Sequence, residues 1–139
     1  MLDCSRNAVM KPEKVKEFID ILAKIGYNAL EIYMEDTYEI EGEPYFGYLR
    51  GGYTAAELKD IDVYAREKGV ELIPAIQTLA HFNNLAKLPH YEDIIDINDI
   101  LLVENEKTYA LIDKMFKTLH ETFSSRLVNI GMDEAHLIG

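Results

Sequence analysis

The sequence contains no tryptophan and only one cysteine, Cys4, among its 139 residues. A single cysteine cannot form an internal disulfide, and it leaves no cysteine cluster that could bind zinc. No apolar run approaches the roughly 20 residues of a membrane-spanning helix. The N-terminus also lacks the basic region and apolar stretch of a secretory signal, so we expect a cytoplasmic chain without a membrane partner.

Basic residues are also scarce, with 14 lysines and arginines against 25 aspartates and glutamates and a formal net charge of −11. Nucleic acids and anionic membranes favour proteins with a basic face, so we expect no nucleic-acid partner. Hydrophobic residues make up 48% of the chain, which is enough for a core and excludes a wholly disordered protein. The length allows one domain or part of a larger one.

Hydrophobic periodicity predicts an α/β fold in which strands and helices alternate. Apolar residues recur at helical spacing after Pro12, after the capping-box motif TAAE at residues 54–57, and over residues 111–123. Strands that alternate with helices lie parallel and are joined by helical crossovers. Both an open doubly wound sheet and the first half of an eight-stranded barrel fit this order. Short apolar runs predict the strands at residues 1–4, 28–34, 70–76 and 127–132.

The predicted connections are unequal in length. Each strand is followed by a polar segment, and the longest of these are residues 37–53 and 77–103, whereas Gly26 and Gly69 leave almost no link from helix to strand. This distribution is expected when the chemistry lies at the carboxyl ends of parallel strands. The first connection has no glycine-rich turn, which weakens a dinucleotide-binding interpretation.

Polar side chains follow all four predicted strands, and a parallel sheet would bring them to one rim. Taken singly, each has a structural explanation. Asp3 and Arg6 could form an ion pair, and His81 could be a hydrogen-bonded loop residue. The acids Glu35 and Asp36 could be solvated turn residues. Their coincidence at four strand ends is the stronger observation. The set comprises Asp3 and Arg6, Glu35 and Asp36, Gln77 and His81, and finally Asp133, Glu134 and His136.

The adjacent acids Asp133 and Glu134 give the sharpest functional signal. Neighbouring carboxylates repel each other, so one pKa tends to rise while the other stays low. One protonated acid beside one anion at neutral pH is what general acid catalysis with charge stabilisation requires.

Two other functions use the same residues. A metal-dependent hydrolase or lyase would employ Asp133, Glu134 and His136 together with His81, although no HExxH spacing supports it. A non-catalytic carbohydrate-binding module would hold its ligand with the tyrosine-rich loop and Arg6.

Residues 130–134, IGMDE, resemble the strand-four signature of glycoside hydrolase family 20, the β-N-acetylhexosaminidases, approximately His-x-Gly-x-Asp-Glu. Residues 3–6, DCSR, resemble that family's strand-one motif Asp-x-x-Arg. The pair Glu35-Asp36 and His81 fall where the family places an acidic pair and a histidine. The resemblance covers the whole chain. It departs from the pattern at Asn129, which replaces histidine, at Glu35, which replaces aspartate, and in lacking Pro-Gly before His81.

The resemblance implies a TIM-type (β/α)8 barrel, and a mechanism that needs neither a metal nor a cofactor. Glu134 would be the general acid/base, and the nucleophile would be the substrate's own 2-acetamido oxygen. Asp133 would orient that group and stabilise its developing positive charge. Arg6 would bind sugar hydroxyls, while His81 and the Glu35-Asp36 pair would tune and position Glu134. The implied partner is an N-acetylhexosaminide.

A barrel of this type takes about 250 residues. Residues 1–139 are therefore expected to be the first half, strands 1–4, of a catalytic domain that is incomplete at its C-terminus. We expect the chain alone to have little or no hydrolase activity. It would expose apolar sheet edges unless it pairs with another copy of itself.

Overall fold

The computed structural model describes residues 1–6 and 8–136. Strands and helices alternate along the described chain, as the periodicity predicts. The second long connection contains two short 3-10 helices, Leu85–Lys87 and Pro89–Ile94. The main elements are β1 (Leu2–Asp3), α1 (Pro12–Lys24), β2 (Ala29–Glu35), α2 (Ala55–Glu67), β3 (Glu71–Ile76) and α3 (Glu106–Thr122).

The three strands form one parallel sheet in the order β1-β2-β3. Leu2 of β1 pairs with Ile32 of β2, and Leu30 of β2 pairs with Leu72 of β3. Strands that are neighbours in sequence are thus neighbours in the sheet, and each is connected to the next by a helix. The predicted α/β class with parallel β/α units is confirmed.

The prediction of a regular fourth strand over residues 127–132 is wrong in part. The segment runs parallel to β3, but it forms only one bridge, between Ala75 and Asn129. The Ile76 N–H donates to the Asn129 carbonyl and the Asn129 N–H to the Pro74 carbonyl, both at 2.9 Å. Pro74 has no N–H to continue the ladder on this side. Beyond the bridge, Gly131 has a φ of 54°, which turns the backbone out of the extended conformation.

Each of the three main helices begins at a position that its local sequence explains. Pro12 occupies the first turn of α1, where its missing N–H costs nothing. The predicted capping box of α2 is present: Thr54 Oγ1 accepts from the Glu57 N–H, and the Glu57 carboxylate accepts from the Thr54 N–H at 2.8 Å. α3 begins earlier than its apolar residues indicate, because the Asn105 side chain caps it at Lys107.

The core lies where the helices pack on the sheet. Fully buried apolar side chains from every layer meet in the core, among them Ile19, Ile32, Leu58, Leu72 and Met115.

Within the described residues, no helix has the length and hydropathy that a membrane span requires.

Apolar side chains are exposed along the segment that follows α3. Leu127 and Met132 are each 58% exposed, and Val128 and Ile130 are also open to solvent. They lie beside Phe116 of α3, which the periodicity assigned to the core but which is 36% exposed. Within the described residues this segment bridges only to β3, so this edge of the sheet exposes apolar side chains, as the sequence predicts.

Candidate active site

The carboxyl ends of the strands bring five of the predicted site residues to one rim. Arg6 follows β1, Glu35 ends β2, His81 follows β3, and Asp133 and Glu134 follow the segment parallel to β3. A cleft of about 510 Å³ opens here, lined by Arg6, Asp133 and Glu134 among others. Residues far apart in the sequence thus share one surface, as expected for a parallel sheet.

Asp133 and Glu134 project into solvent from the turn after Gly131. Their side chains are 62% and 64% exposed. Glu134 has a φ of 52°, a left-handed conformation that costs a non-glycine residue about 1 kcal/mol. Such strain is concentrated at functional sites, where the surrounding structure holds the residue in place.

His81 faces both acids. Its Nε2 atom lies 3.7 Å from Oδ2 of Asp133 and 3.6 Å from Oε2 of Glu134. That nitrogen is buried and has no hydrogen-bond partner within the described residues. His81 also has a left-handed backbone, with a φ of 67°. The imidazole is therefore placed to hydrogen-bond either carboxylate after a small movement.

Gln77 anchors Asp133 from the sheet side. Its Nε2 atom donates to Oδ1 of Asp133 at 3.0 Å. This hydrogen bond, assisted by the nearby His81, holds the pKa of the Asp133 carboxyl below its usual value despite partial burial. Asp133 is therefore an anion at neutral pH.

Tyr33 links Gln77 to the second strand. Its hydroxyl accepts from Gln77 Nε2 at 2.8 Å and donates to Glu35 Oε1 at 3.1 Å. Burial raises the pKa of Tyr33 to about 12, so the phenol stays protonated and remains a donor. Sequence reasoning missed Tyr33, because the bulge between Tyr33 and Glu35 interrupts the alternation that predicts which side chains share a face.

Glu35 is paired with Arg6, whose Nη1 atom donates to Oε1 of Glu35. Arg6 and Asp3 therefore do not form the ion pair suggested by their spacing. Asp3 Oδ1 instead accepts from the backbone N–H and the hydroxyl of Ser5, each at 2.8 Å. Half of the Arg6 side chain remains exposed toward the cleft, whereas Glu35 is buried.

Asp36, the residue after β2, has different partners from Glu35 except for Arg50. Its Oδ1 lies 3.3 Å from Nη2 of Arg50, and its Oδ2 accepts from Asn84 Nδ2 at 3.3 Å. Burial raises the pKa of Asp36, and Arg50 and Asn84 offset only part of this effect. Arg50 also lies 3.4 Å from Glu35 Oε2, so one guanidinium serves both acids. Sequence reasoning missed Arg50, because no spacing in a long loop shows where it folds back.

The imidazole of His81 and one oxygen each from Asp133 and Glu134 lie within 4.8 Å of one another, close enough to share a cation. His136, which the metal-dependent alternative included, lies outside this group and is exposed.

The chain matches the catalytic domain of glycosyl hydrolase family 20 over residues 1–137. It belongs to this family.

Curated relatives match nearly the whole chain but are much longer. A probable beta-hexosaminidase of Arthroderma benhamiae is 25% identical over 96% of the chain, and hexosaminidase D of Bos taurus is 27% identical over 92%. The chain spans 26% and 39% of their lengths.

Solved family 20 structures share the fold. The β-N-acetylhexosaminidase of Streptomyces coelicolor is 27% identical with a TM-score of 0.84, and covers 98% of the chain, which corresponds to 32% of that structure. A mutant β-hexosaminidase of Streptomyces plicatus in complex with its product GlcNAc is 28% identical with the same TM-score and the same two coverages. The assignment to the first half of a TIM-type barrel is confirmed.

Proposed function

We propose that the protein is a β-N-acetylhexosaminidase that removes terminal β-linked N-acetylhexosamine by substrate-assisted, retaining catalysis. Family membership and the GlcNAc bound to the Streptomyces plicatus relative support this substrate class. Residues 1–139 would form the first half of the catalytic domain. They would contribute the acid/base, the residue that stabilises positive charge, and part of the sugar pocket.

The observation that carries the proposal is the placement of Asp133 and Glu134. They are consecutive and exposed, both lie within 4 Å of His81, and they line one cleft with Arg6. Glycosidases with two catalytic carboxylates use acids on opposite sides of the glycosidic bond, about 5 Å or more apart, whereas family 20 is an exception in which the substrate supplies the nucleophile. Two adjacent acids on one rim fit that exception.

The first step would proceed as follows. The carbonyl oxygen of the substrate's 2-acetamido group attacks the anomeric carbon, and the bond from that carbon to the leaving oxygen breaks. Glu134 gives its proton to the leaving oxygen, which keeps the electron pair of the broken bond. The product of this step is an oxazolinium ion, whose positive charge faces the Asp133 carboxylate.

In the second step the Glu134 carboxylate takes a proton from water, which attacks the anomeric carbon and opens the oxazolinium ring. Asp133 remains an anion throughout, which agrees with the hydrogen bond from Gln77 that lowers its pKa. Arg6 would hold sugar hydroxyls with the exposed half of its side chain, a role that its fork of donors suits.

The test is Glu134→Gln in the full-length protein, assayed with a chromogenic N-acetylglucosaminide and the corresponding N-acetylgalactosaminide. Removal of the transferable proton should lower kcat by at least about 100-fold. Glu39→Gln, which alters an exposed acid outside the cleft, is the matched control and should leave turnover unchanged. Unchanged turnover in Glu134→Gln would rule out the proposed acid.

A metal-dependent hydrolase is the second candidate function, because His81, Asp133 and Glu134 lie close enough to share one cation. Imidazole and carboxylate are suitable ligands for zinc, and an ion held by them would activate a water molecule. The candidate requires that dialysis against a strong chelator abolishes activity and that added Zn²⁺ restores it. Full activity after chelation would eliminate it.

A further inference from the structure

Gln77, the first residue after β3, donates to side chains on both neighbouring parts of the sheet. Its Nε2 atom lies 3.0 Å from Oδ1 of Asp133 and 2.8 Å from the hydroxyl oxygen of Tyr33. We infer that Gln77 is a positioning residue, which fixes the direction in which the Asp133 carboxylate faces the substrate's amide. The inference rests on the proposed function, in which Asp133 contacts the 2-acetamido group.

Hydrogen bonds connect the side chains of four residues, and the neighbours of each group determine which atom donates. The four are Glu35, Tyr33, Gln77 and Asp133. Ionised carboxylates can only accept, so Glu35 must accept from Tyr33, and Asp133 must accept from Gln77. Once the Tyr33 hydroxyl has donated to Glu35, it can only accept from Gln77. The NH₂ group of Gln77 thus uses one hydrogen for each neighbour. A flipped amide would place its oxygen against the Asp133 carboxylate, so only one orientation satisfies both neighbours.

The backbone of Gly131 packs against the Gln77 amide and restricts its movement. The residue is 1% exposed, and a Cβ atom at Gly131 would lie 2.7 Å from its Cδ and 2.8 Å from its Nε2. The backbone of Gly131 therefore lies directly against the amide. The Thr78 N–H donates to the Gly131 carbonyl at 3.3 Å and connects the two segments next to Gln77. A side chain confined in this way can transmit its orientation to the carboxylate that it contacts.

The same hydrogen bonds connect two parts of the proposed sugar pocket. Glu35 accepts from Tyr33 and is paired with Arg6, the residue proposed to hold sugar hydroxyls. Gln77 therefore ties Asp133, on the acetamido side, to the residues on the hydroxyl side. Removal of the Tyr33 hydroxyl should loosen Gln77 while leaving its bond to Asp133, so Tyr33→Phe should have a smaller effect than loss of the amide.

The kinetic test uses Gln77→Met in the full-length protein, because methionine keeps the unbranched shape of glutamine but cannot donate. We expect kcat to fall about 30-fold with a change in KM of less than about threefold, since a misdirected carboxylate weakens transition-state stabilisation rather than ground-state binding. Tyr33→Phe should lose about threefold to tenfold in kcat.

A double-mutant cycle separates positioning through Asp133 from an independent structural effect. Asp133→Asn alone should lower kcat strongly, and Gln77→Met should cost nothing further in that background, since groups that act as a unit are not additive. The same fold-loss from Gln77→Met in both backgrounds would overturn the inference, and so would unchanged kcat in the single variant. If Asp133→Asn alone retained normal turnover, the proposed function would fail first.

A spectroscopic measurement on this chain tests the contact without any activity. In NMR spectra, the side-chain NH₂ signals of Gln77 should show slow exchange with solvent and should move in Asp133→Asn. They should stay in place in Asp36→Asn, whose side-chain contacts in the described structure are with Arg50 and Asn84. Rapidly exchanging Gln77 protons, or equal shifts in both variants, would contradict the contact even if Gln77→Met failed to fold.

Discussion

The Nε2 atom of His81 lies 3.6 Å from Oε2 of Glu134, and both residues have a left-handed backbone, with φ values of 67° and 52°. Each such conformation costs a non-glycine residue about 1 kcal/mol. The fold keeps both, one after β3 and one after the parallel segment, so the relative position of the imidazole and the acid is fixed by two separate turns. Removing either side chain should affect function more than stability.

If His81 positions Glu134, as we propose, His81→Ala should lower kcat of the full-length protein by about 100-fold. KM should change little, because His81 is largely buried beneath the acids and does not line the cleft. His120→Ala, on the exposed side of α3, is the control and should behave as wild type. Steady-state kinetics of both variants on a chromogenic substrate would give kcat and KM. A normal kcat in His81→Ala would show that His81 does not position Glu134.

The two arginines around Glu35 should respond differently to truncation. Arg6 is half exposed toward the cleft, so Arg6→Ala should raise KM about tenfold or more. The buried Glu35 keeps Arg50 as a partner in this variant, so the loss of unfolding free energy should be smaller than in Arg50→Ala. Arg50 is mostly buried between Glu35 and Asp36, so Arg50→Ala leaves two buried acids short of a partner and should cost about 3 kcal/mol. Urea unfolding and kinetics on both variants provide the comparison, and a reversed pattern would contradict these assignments.

The fold follows closely from the sequence wherever the cause of an element is local. Pro12 and the capping box at Thr54 and Glu57 predict where two helices begin, and both are observed. The fourth strand is less regular than predicted, because its pairing depends on the partner strand. Its apolar residues have strand character, but Pro74 in β3 lacks the N–H that the ladder needs. No periodicity within residues 127–132 could reveal that.

The same contrast holds at the site. Residues in the segments that follow strands, such as Arg6 and His81, could be placed at one rim because parallel strands end together. The pairings among them could not be predicted, since they depend on side-chain direction. The bulge in β2 between Tyr33 and Glu35 shifts the register where Glu35 meets Arg6. Arg50 reaches the site only through the folding of a long loop, which leaves no pattern in the sequence.

The unfolding free energy of Asp36→Asn should exceed that of the wild type by an amount that grows as the pH rises. Burial raises the pKa of Asp36 above its ordinary value of 3.8, so the folded state favours the protonated form. The contribution of the Asp36 carboxyl to the stability of the wild type is complete at low pH. It is lost as the pH rises from about 4 through the raised pKa of the folded state. Asparagine has no such loss and can still accept from Asn84. Urea unfolding of both proteins at pH 4 and pH 7 should show the difference growing with pH, and a difference that stays constant or shrinks would contradict the effect of burial on Asp36.

Gly131 permits the turn that carries the acidic pair, and Gly131→Ala should be among the most damaging single substitutions in the chain. Its φ is 54°, and a Cβ atom there would lie 2.1 Å from the Ile76 carbonyl oxygen, a backbone atom that cannot move aside. Gly42→Ala is the matched control, because its φ is 78° but nothing lies within 4 Å. The control should lose about 1 kcal/mol from backbone strain alone, and Gly131→Ala at least about 3 kcal/mol. Equal losses in urea unfolding would show that the close approach of the segment to β3 is not what requires glycine.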